Sequence, residues 1–420
     1  MDLDIRALRA NTPGCAGGVI HLNNAGASLM PSPVLDALKG HIDLESRIGG
    51  YEAAVEAADA IERFYVDVAA LIGGHPDEIA FLDSATRAWL AVFHAMDWRP
   101  GDEVLTARSE YNANMVSFLH ARERQGIVHR LVPDAEDGTI DTDALEAMIG
   151  PRTRLICLSH MPTNDGLINP AQKVGQIAAA RTIPFLLDAC QSAGQMPLDV
   201  AELGCTMLSA TGRKYMRGPR GTGFLWVRRD WLDRLMPHAL DIRSASWTGV
   251  DAYEIASDAR RFELWEAGIA GQIALGSAAR YAREVGIAPM WDRIQTLAGD
   301  LRGMLSGIGG VTVHDQGSDK SGIVTFSHAR LNAPEIVARL RSVHSINTSV
   351  SACQLTRSSL IAGGTTHMVR ASVHAYNTTQ ELDALAEALD AMTGTRGAGL
   401  SHANKNDNSS PRQPSLGVEQ

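Results

Sequence analysis

Two ionisable residues, a lysine and an aspartate, each follow an apolar segment of the chain. Lys214 lies between small residues and a Gly-Pro-Arg-Gly turn, which is unusual for a solvated surface lysine. Asp188 ends the apolar run at 183–187. A lysine amine can form a Schiff base, and a carboxylate can hold a proton on a pyridine nitrogen. These are the two protein groups that pyridoxal 5'-phosphate (PLP) chemistry most needs, so the pair predicts a PLP site with Lys214 as the catalytic residue.

Other polar residues near this pair would complete a cofactor site. Gln191 lies on the turn after the aspartate and is placed to hydrogen-bond the ring hydroxyl. Ala85 and Thr86 open a predicted helix, where backbone N–H groups and the helix dipole favour a phosphate. Thr211 and Arg213 flank the lysine and would add a hydroxyl and a charge-assisted contact. We predict all five as cofactor-binding residues.

Length and composition indicate a globular protein that is too long for one ordinary core. The chain has 420 residues, of which 45% are hydrophobic and 20% are charged, so we expect two or three domains, or one large α/β unit with a smaller partner. A net charge of −10 without a basic block argues against a nucleic-acid partner. The five scattered cysteines form no CxxC pair, which predicts no structural metal and a reducing compartment. We expect a cytoplasmic protein without signal peptide or membrane span.

The first half of the chain predicts an α/β fold. Segments rich in β-branched and apolar residues alternate with helical patterns, which indicates a mainly parallel sheet with helices on both faces. The predicted strands are 78–82, 102–106, 131–133, 154–159, 185–188, 206–209 and 223–227. Ligands of such sheets bind beyond the carboxyl ends of the strands, where the lysine, the aspartate and the 84–86 turn all fall.

The pattern changes after about residue 275. A long helix leads to shorter strands and further helices, as expected of a smaller α+β domain. From about residue 394 the chain becomes rich in Gly, Ser, Asn and charge, which is typical of disorder. We predict an N-terminal segment (1–30) packing on the small domain, a PLP-binding large domain (31–285), a small C-terminal domain (286–393) and a disordered tail (394–420).

Four motifs together resemble those of class V, fold type I PLP enzymes. They are HLNNAGAS (21–28), EYNAN (110–114), PTNDGLINP (162–170) and VRASVHAYNT (369–378), and the resemblance covers about residues 18–392. This group contains cysteine desulfurases, isopenicillin N epimerase-like proteins and hercynylcysteine sulfoxide lyases. The resemblance implies a large domain with a seven-stranded, mainly parallel sheet, a smaller α+β C-terminal domain, PLP as the cofactor, and a homodimer with the site at the subunit interface.

The resemblance also implies roles at matching positions. Tyr111 stands where desulfurases carry a histidine stacked on the ring, and its aromatic face can do the same. Thr163 or Asn164 corresponds to the position that faces the ring hydroxyl. Arg370 matches the arginine that holds the substrate α-carboxylate, and Asn24 would line the substrate end.

Departures from the desulfurase pattern bear on the reaction. Desulfurases use a loop cysteine as the sulfur acceptor, preceded by a substrate-binding arginine. In the 347–353 segment, the best register places Asn347 at the arginine and Ala352 at the cysteine, with Cys353 one place further on. Together with the tyrosine in place of the stacked histidine, this register disfavours a desulfurase without excluding it.

Two segments favour the C–S lyase branch. IGGYEAA (48–54) resembles the Gly-Gly-Tyr segment of hercynylcysteine sulfoxide lyases, and in DARRFELWE (258–266) Arg261 is a candidate contact for a second carboxylate or a sulfoxide. We therefore predict β-elimination from a cysteine S-conjugate or its sulfoxide, which yields a thiol or sulfenate, pyruvate and ammonia. The alternatives are an epimerase, a desulfurase or an oxidative or decarboxylating deaminase on the same scaffold, and a non-enzymatic PLP-fold protein.

Overall fold

The computed structural model describes residues 3–352 and 366–393. Its strands are β1 (Ile20–His21), β2 (Ile79–Leu82), β3 (Glu103–Ala107), β4 (Val128–Val132), β5 (Thr153–Ser159), β6 (Phe185–Asp188), β7 (Met207–Thr211), β8 (Gly223–Val227), β9 (Ala245–Gly249), β10 (Ala252–Ile255), β11 (Val311–Val313), β12 (Ile323–His328), β13 (Ile346–Asn347), β14 (Ser349–Ala352) and β15 (His367–Ser372).

The helices alternate with the strands in the first half of the chain. They are α1 (Ile5–Ala10), α2 (Ser32–Ile48), α3 (Gly50–Glu56), α4 (Ala58–Ile72), α5 (Ala85–Phe93), α6 (Asn112–Gln125), α7 (Thr142–Met148), α8 (Ala171–Ala180), α9 (Val200–Leu203), α10 (Ile269–Val285), α11 (Ile287–Ser306), α12 (Ala333–His344) and α13 (Thr379–Thr393). No helix among the described residues is long and apolar enough to cross a membrane.

A seven-stranded sheet forms the centre of the larger part of the molecule. Its order is β2-β8-β7-β6-β5-β3-β4, and β8 alone runs antiparallel to its neighbours. The predicted α/β fold with a mainly parallel seven-stranded sheet is confirmed. The strand predicted at 131–133 begins earlier and ends at Val132, because the following proline has no N–H to donate to a ladder.

Alternate residues of the central strands pack on opposite faces of this sheet. Leu187 and Leu208 belong to one hydrophobic cluster, whereas Leu186 and Met207 belong to another. Strands β6, β7 and β8 are buried along their whole length. Burial on both faces leaves the carboxyl edge of the sheet as the place where polar side chains gather.

A second, antiparallel sheet lies in the C-terminal part of the chain. Its order is β11-β12-β15-β14; α11 and α12 pack against this sheet, and α13 packs against both of these helices. The N-terminal segment joins this part, since β1 pairs in parallel with β13 and Arg9 donates to Glu381 over 2.9 Å. The domain limits at 30, 285 and 393 stay predictions, and the 394–420 tail lies outside the described residues.

Candidate active site

A cavity of about 340 Å³ opens at the carboxyl ends of the central strands. This volume is within the range of small-molecule sites. Its lining consists of Asp83, Ser84, Ala85, Thr86, Tyr111, Ser159, Met161, Thr163, Asp188, Cys190, Gln191, Thr211, Arg213, Lys214, Arg220 and Gly221. The structure therefore brings most of the predicted cofactor-binding residues to one cavity.

Lys214 projects from the loop that follows β7. The loop is closed on itself, because the Gly218 N–H donates to Gly212 O over 2.7 Å and the Gly212 N–H donates to Thr222 O over 3.0 Å. A side chain at Gly212 would collide with the Thr222 hydroxyl, so the loop requires glycine there. The lysine is 8% exposed, and burial lowers the pKa of its amine below the usual lysine range. A neutral amine is the nucleophilic form that condenses with an aldehyde.

Asp188 lies at the end of β6, beside the lysine loop. Its Oδ1 accepts from the Cys190 N–H at 2.9 Å, and its Oδ2 accepts from Asn114 Nδ2 at 3.3 Å. Gln191 follows on the same turn and donates through Nε2 to Thr163 Oγ1 at 3.2 Å. The Oε1 atom of Gln191 is buried without a partner, which is a costly state for an acceptor. A hydroxyl donor of a bound cofactor would satisfy this oxygen.

The N-terminus of α5 forms part of the cavity wall. Ser84 caps this helix by accepting from the Arg87 N–H at 3.2 Å, so Ala85 and Thr86 lie in the first turn. The β8 strand approaches closely because residue 223 is glycine: a Cβ there would lie 2.7 Å from Ser84 C and 2.8 Å from Ala85 N. First-turn N–H groups of a nine-residue helix bind a phosphate well.

Arg213 and Thr211 line the cavity near this helix. Arg213 donates through Nη1 to the Gly26 carbonyl, and Thr211 Oγ1 donates to Thr222 O over 3.3 Å. Both are within the same lining as the α5 N-terminus. Their predicted contacts with the phosphate stay predictions.

Tyr111 lies on the side of the cavity that faces Lys214. It is the N-cap residue of α6, and its ring centroid is 5.9 Å from the lysine Nζ. Burial raises the pKa of the Tyr111 hydroxyl, so the ring is neutral. This position suits a ring that stacks on a flat cofactor.

Arg370 on β15 lies behind Thr163. Its Nη1 donates to Thr163 O at 2.9 Å and to Thr163 Oγ1 at 2.5 Å, and its Nε donates to Ser349 Oγ at 3.1 Å. Burial lowers the pKa of this guanidinium to about 10. Its Nη2 lies 3.5 Å from Asn23 Oδ1, a weak contact that a carboxylate would replace with a stronger one. Arg370 is thus not in the cavity wall but is one residue behind it.

Two predicted substrate contacts, Asn24 and Arg261, do not line the cavity. Asn24 is fully buried and donates to Ser372 O at 2.7 Å, so its amide ties the N-terminal segment to β15. Arg261 is 6% exposed, and its guanidinium donates to Ala256 O, Leu232 O and the Asp233 carboxylate. These acceptors engage all three nitrogens of the Arg261 guanidinium, and neither residue lines the cavity.

Asn164 is also outside the cavity lining. Its Oδ1 accepts from Ser351 Oγ at 3.0 Å, and the side chain is 2% exposed. Of the two adjacent candidates for the ring hydroxyl, Thr163 is the one that lines the cavity. Ser159, Met161 and Arg220 also line it and had no sequence signal beyond their place near strand ends.

Sequence reasoning also missed the role of Glu110. In the sequence it is only the first residue of the EYNAN motif, yet the side chain is buried and bonded to Asn114 and Ser159. The signal available in the sequence was a glutamate directly before the aromatic residue of this motif. Among the described residues, no group of His, Cys, Asp and Glu side chains is arranged to hold a metal ion.

The residues of the cavity fit PLP. A buried amine of lowered pKa, a strand-end carboxylate, an aromatic ring, an unsatisfied buried acceptor and a helix N-terminus surround a single space. Each matches a different part of the cofactor: aldehyde, pyridine nitrogen, ring face, ring hydroxyl and phosphate.

Comparison with known proteins agrees with this fit. A family model described as aminotransferase class-V matches residues 20–385. A probable cysteine desulfurase of Methanothermobacter thermautotrophicus is 28% identical over 383 residues, which cover 89% of this chain and 95% of the relative. A probable cysteine desulfurase of Synechocystis sp. is 27% identical, with 89% of this chain and 90% of the relative covered.

Two solved structures have the same fold. The cysteine desulfurase CsdA of Escherichia coli has a TM-score of 0.87 at 22% identity, with 94% of this chain and 99% of that chain covered. The cystine C–S lyase C-DES, in complex with cysteine persulfide, has a TM-score of 0.81 at 23% identity, with 90% and 99% covered. The family match spans both sheets and the whole cavity, and the chain belongs to the aminotransferase class-V family, whose members are PLP-dependent enzymes.

Proposed function

We propose that this enzyme cleaves the C–S bond of a cysteine S-conjugate or its sulfoxide by β-elimination. The reaction consumes one water and yields a thiol or sulfenate, pyruvate and ammonia. It requires no external oxidant. The main support is that Lys214 and Asp188 line one cavity with Arg370 directly behind it, whereas Cys190 in the same lining is not activated as a thiolate. Burial and the Asp188 charge raise the pKa of the Cys190 thiol well above its usual range, which suppresses the thiolate that sulfur transfer needs.

Lys214 supplies the base. When bound, PLP supplies an electron sink for the electron pair that stays on the substrate Cα after its proton is removed. The buried amine of Lys214 takes that proton, because burial lowers its pKa and so favours the form with a free nitrogen lone pair. Asp188 holds the proton on the pyridine nitrogen, which keeps the sink effective.

Arg370 and Tyr111 orient the substrate and the ring. A bidentate guanidinium–carboxylate pair fixes the plane of the substrate α-carboxylate, which lysine would not do. Arg370 lies behind Thr163, so this pair requires the guanidinium to exchange its contacts with Thr163 and Asn23 for the carboxylate. Tyr111 covers one face of the cofactor ring and excludes water from it.

A cysteine desulfurase is the second candidate. Relatives called probable cysteine desulfurases, at 26–29% identity, support it. That reaction moves sulfur from cysteine to an enzyme thiol, giving alanine and an enzyme persulfide. Cys353, the candidate acceptor, lies outside the described residues and directly follows β14, whose Ser349 contacts Arg370.

A product assay separates the two reactions. The holoenzyme is incubated with L-cysteine and with an S-alkyl-L-cysteine sulfoxide, and pyruvate, alanine, sulfide and substrate stereochemistry are measured. We expect pyruvate from the sulfoxide, at an unchanged rate in Cys353→Ala and in the remote control Cys15→Ala. Alanine from cysteine that disappears only in Cys353→Ala would establish the desulfurase instead. Stereoinversion without pyruvate would establish an epimerase.

We also infer a cytoplasmic homodimer. Free cysteines at 157 and 205 are buried and unpaired, as suits a reducing compartment. The β9–β10 hairpin exposes Trp247 (80%), Val250 (89%) and Tyr253 (61%). Large apolar side chains clustered on one exposed hairpin are typical of a surface that another chain covers.

A further inference from the structure

Glu110 is a buried carboxyl beside the active site that the chemistry above does not use. It stands between β3 and α6 and is 1% exposed. Its Oε1 accepts from the Tyr111 N–H (2.8 Å), Asn114 Nδ2 (2.9 Å) and Ser159 Oγ (2.5 Å), and its Oε2 accepts from Thr106 Oγ1 (2.8 Å). A fully satisfied buried network of this kind holds its members in fixed positions.

Asn114 connects this carboxyl to Asp188. An amide NH₂ group has two hydrogens to donate. Nδ2 of Asn114 lies 2.9 Å from Glu110 Oε1 and 3.3 Å from Asp188 Oδ2. Because both partners are carboxyl oxygens, the amide must turn its nitrogen, and not its oxygen, toward Asp188. Glu110 thereby orients the Asn114 amide N–H group that donates to Asp188.

Asp188 is consequently held at both of its oxygens. The Cys190 N–H binds Oδ1, and the Asn114 amide binds Oδ2. Two donors from different elements, one on the turn after β6 and one on α6, fix the plane of the carboxylate. Each oxygen keeps a lone pair for a further donor.

The hydrogen bonds around Glu110 are compatible with both of its protonation states. Burial raises the pKa of Glu110; hydrogen bonds from Ser159, Asn114 and Thr106 oppose the rise, and the Asp188 charge adds to it. The Ser159 and Thr106 hydroxyls can accept a carboxyl proton as well as donate one, so the network stays satisfied in the neutral form.

We propose that Glu110 and Asn114 are positioning residues that hold Asp188 in the orientation required to face the pyridine nitrogen of the cofactor. Neither residue lines the cavity, and both act through Asp188. Glu110 additionally anchors the backbone of Tyr111, so one carboxyl sets the places of two predicted cofactor contacts.

The test measures cofactor affinity in four variants. Asn114→Ala removes the donor to Asp188, Glu110→Leu removes the acceptor that orients it, and Glu110→Gln keeps a neutral acceptor of the same shape. Ser117→Ala is the control, since it removes one hydrogen bond on the same helix without a link to Asp188. We expect PLP to dissociate about tenfold more readily from Asn114→Ala and Glu110→Leu, the effect of one hydrogen bond to a charged group. Glu110→Gln and the control should bind like the natural protein.

A cofactor analogue with carbon in place of the pyridine nitrogen separates positioning from general stability. With this analogue, the natural protein and Asn114→Ala should have about equal affinities, so that their ratio falls to about one. The reason is that the analogue lacks the ring nitrogen that Asp188 would face. The same tenfold ratio with both cofactors, or unchanged PLP affinity in Asn114→Ala, would overturn the proposal. If Glu110→Leu does not fold by circular dichroism, Asn114→Ala alone decides.

Discussion

At the scale of single residues, the environment of Lys214 decides its chemistry. A lysine on the surface is protonated and inert toward carbonyls at neutral pH. Burial in the loop after β7 lowers the pKa of this amine, and Asp188 and Cys190 do not offset the effect. Burial also raises the pKa of Cys190 in the cavity wall and lowers that of Arg370 behind it. Each shift follows from desolvation, which favours the neutral form of every group.

Replacing Lys214 tests its covalent role. Lys214→Ala should lack the visible absorbance of protein-bound cofactor and should retain no cofactor after borohydride reduction and denaturation, because the nitrogen that joins the aldehyde is gone. Lys173→Ala is the matched control, since this exposed lysine pairs with Asp143 far from the cavity. Cofactor fixed to the Lys214→Ala chain would contradict the assignment.

At the scale of elements, the site depends on how closely β8 approaches the N-terminus of α5. The antiparallel β8 brings Gly223 against the backbone of Ser84 and Ala85. A helix N-terminus binds an anion through N–H groups whose positions are set by the backbone. The absence of a side chain at one strand residue therefore shapes the predicted phosphate site.

Adding a methyl group at this contact should weaken cofactor binding. Gly223→Ala places Cβ 2.8 Å from Ala210 O as well as against the helix, and overpacking of this kind costs about 1–3 kcal/mol. We expect a higher PLP dissociation constant and a lower melting temperature, read from cofactor titration and thermal unfolding.

Gly299→Ala provides the control for that substitution. Residue 299 lies within α11, and a methyl group added there would have no neighbouring atom within 4 Å, so alanine should raise stability by about 0.5–1 kcal/mol. An unchanged PLP affinity in Gly223→Ala would show that the close approach does not matter for binding.

At the scale of the whole molecule, the N-terminal segment contacts both the C-terminal part of the chain and the loop that carries Lys214. β1 pairs with β13, and the Ser28 N–H donates to Arg213 O over 2.9 Å. Arg217, three residues after the lysine, donates to Leu29 O at 2.8 Å and to Thr12 Oγ1 at 2.6 Å. The lysine loop is therefore braced by chain that is distant in sequence.

Sedimentation equilibrium and substitutions in the exposed β9–β10 hairpin test the inferred homodimer. Sedimentation equilibrium should give twice the mass of one chain. Replacing Trp247 and Tyr253 together with serine should weaken self-association, because it removes two large apolar side chains from the exposed hairpin. A single-chain mass for the natural protein at micromolar concentration would contradict the inference.

Fold class, cofactor and the residues nearest the strand ends could all be predicted from the order of amino acids. Alternating apolar runs and helical patterns specify a buried parallel sheet, because burial on both faces leaves little choice of residue. Lys214, Asp188 and Gln191 were identifiable because each lies at or shortly after the end of such a run. Tyr111 and Thr163 followed from motifs rather than from periodicity.

Which polar residues meet depends on the tertiary structure. Asn24 and Arg261 had suitable chemistry, but their amide and guanidinium nitrogens are engaged by other groups of the chain. Glu110 and Asn114 carried little signal, yet the contact between α6 and the end of β6 places them behind Asp188. Hydrogen-bond partners across the chain depend on packing and register, which local sequence does not encode, and that is why the support of the site became visible only in three dimensions.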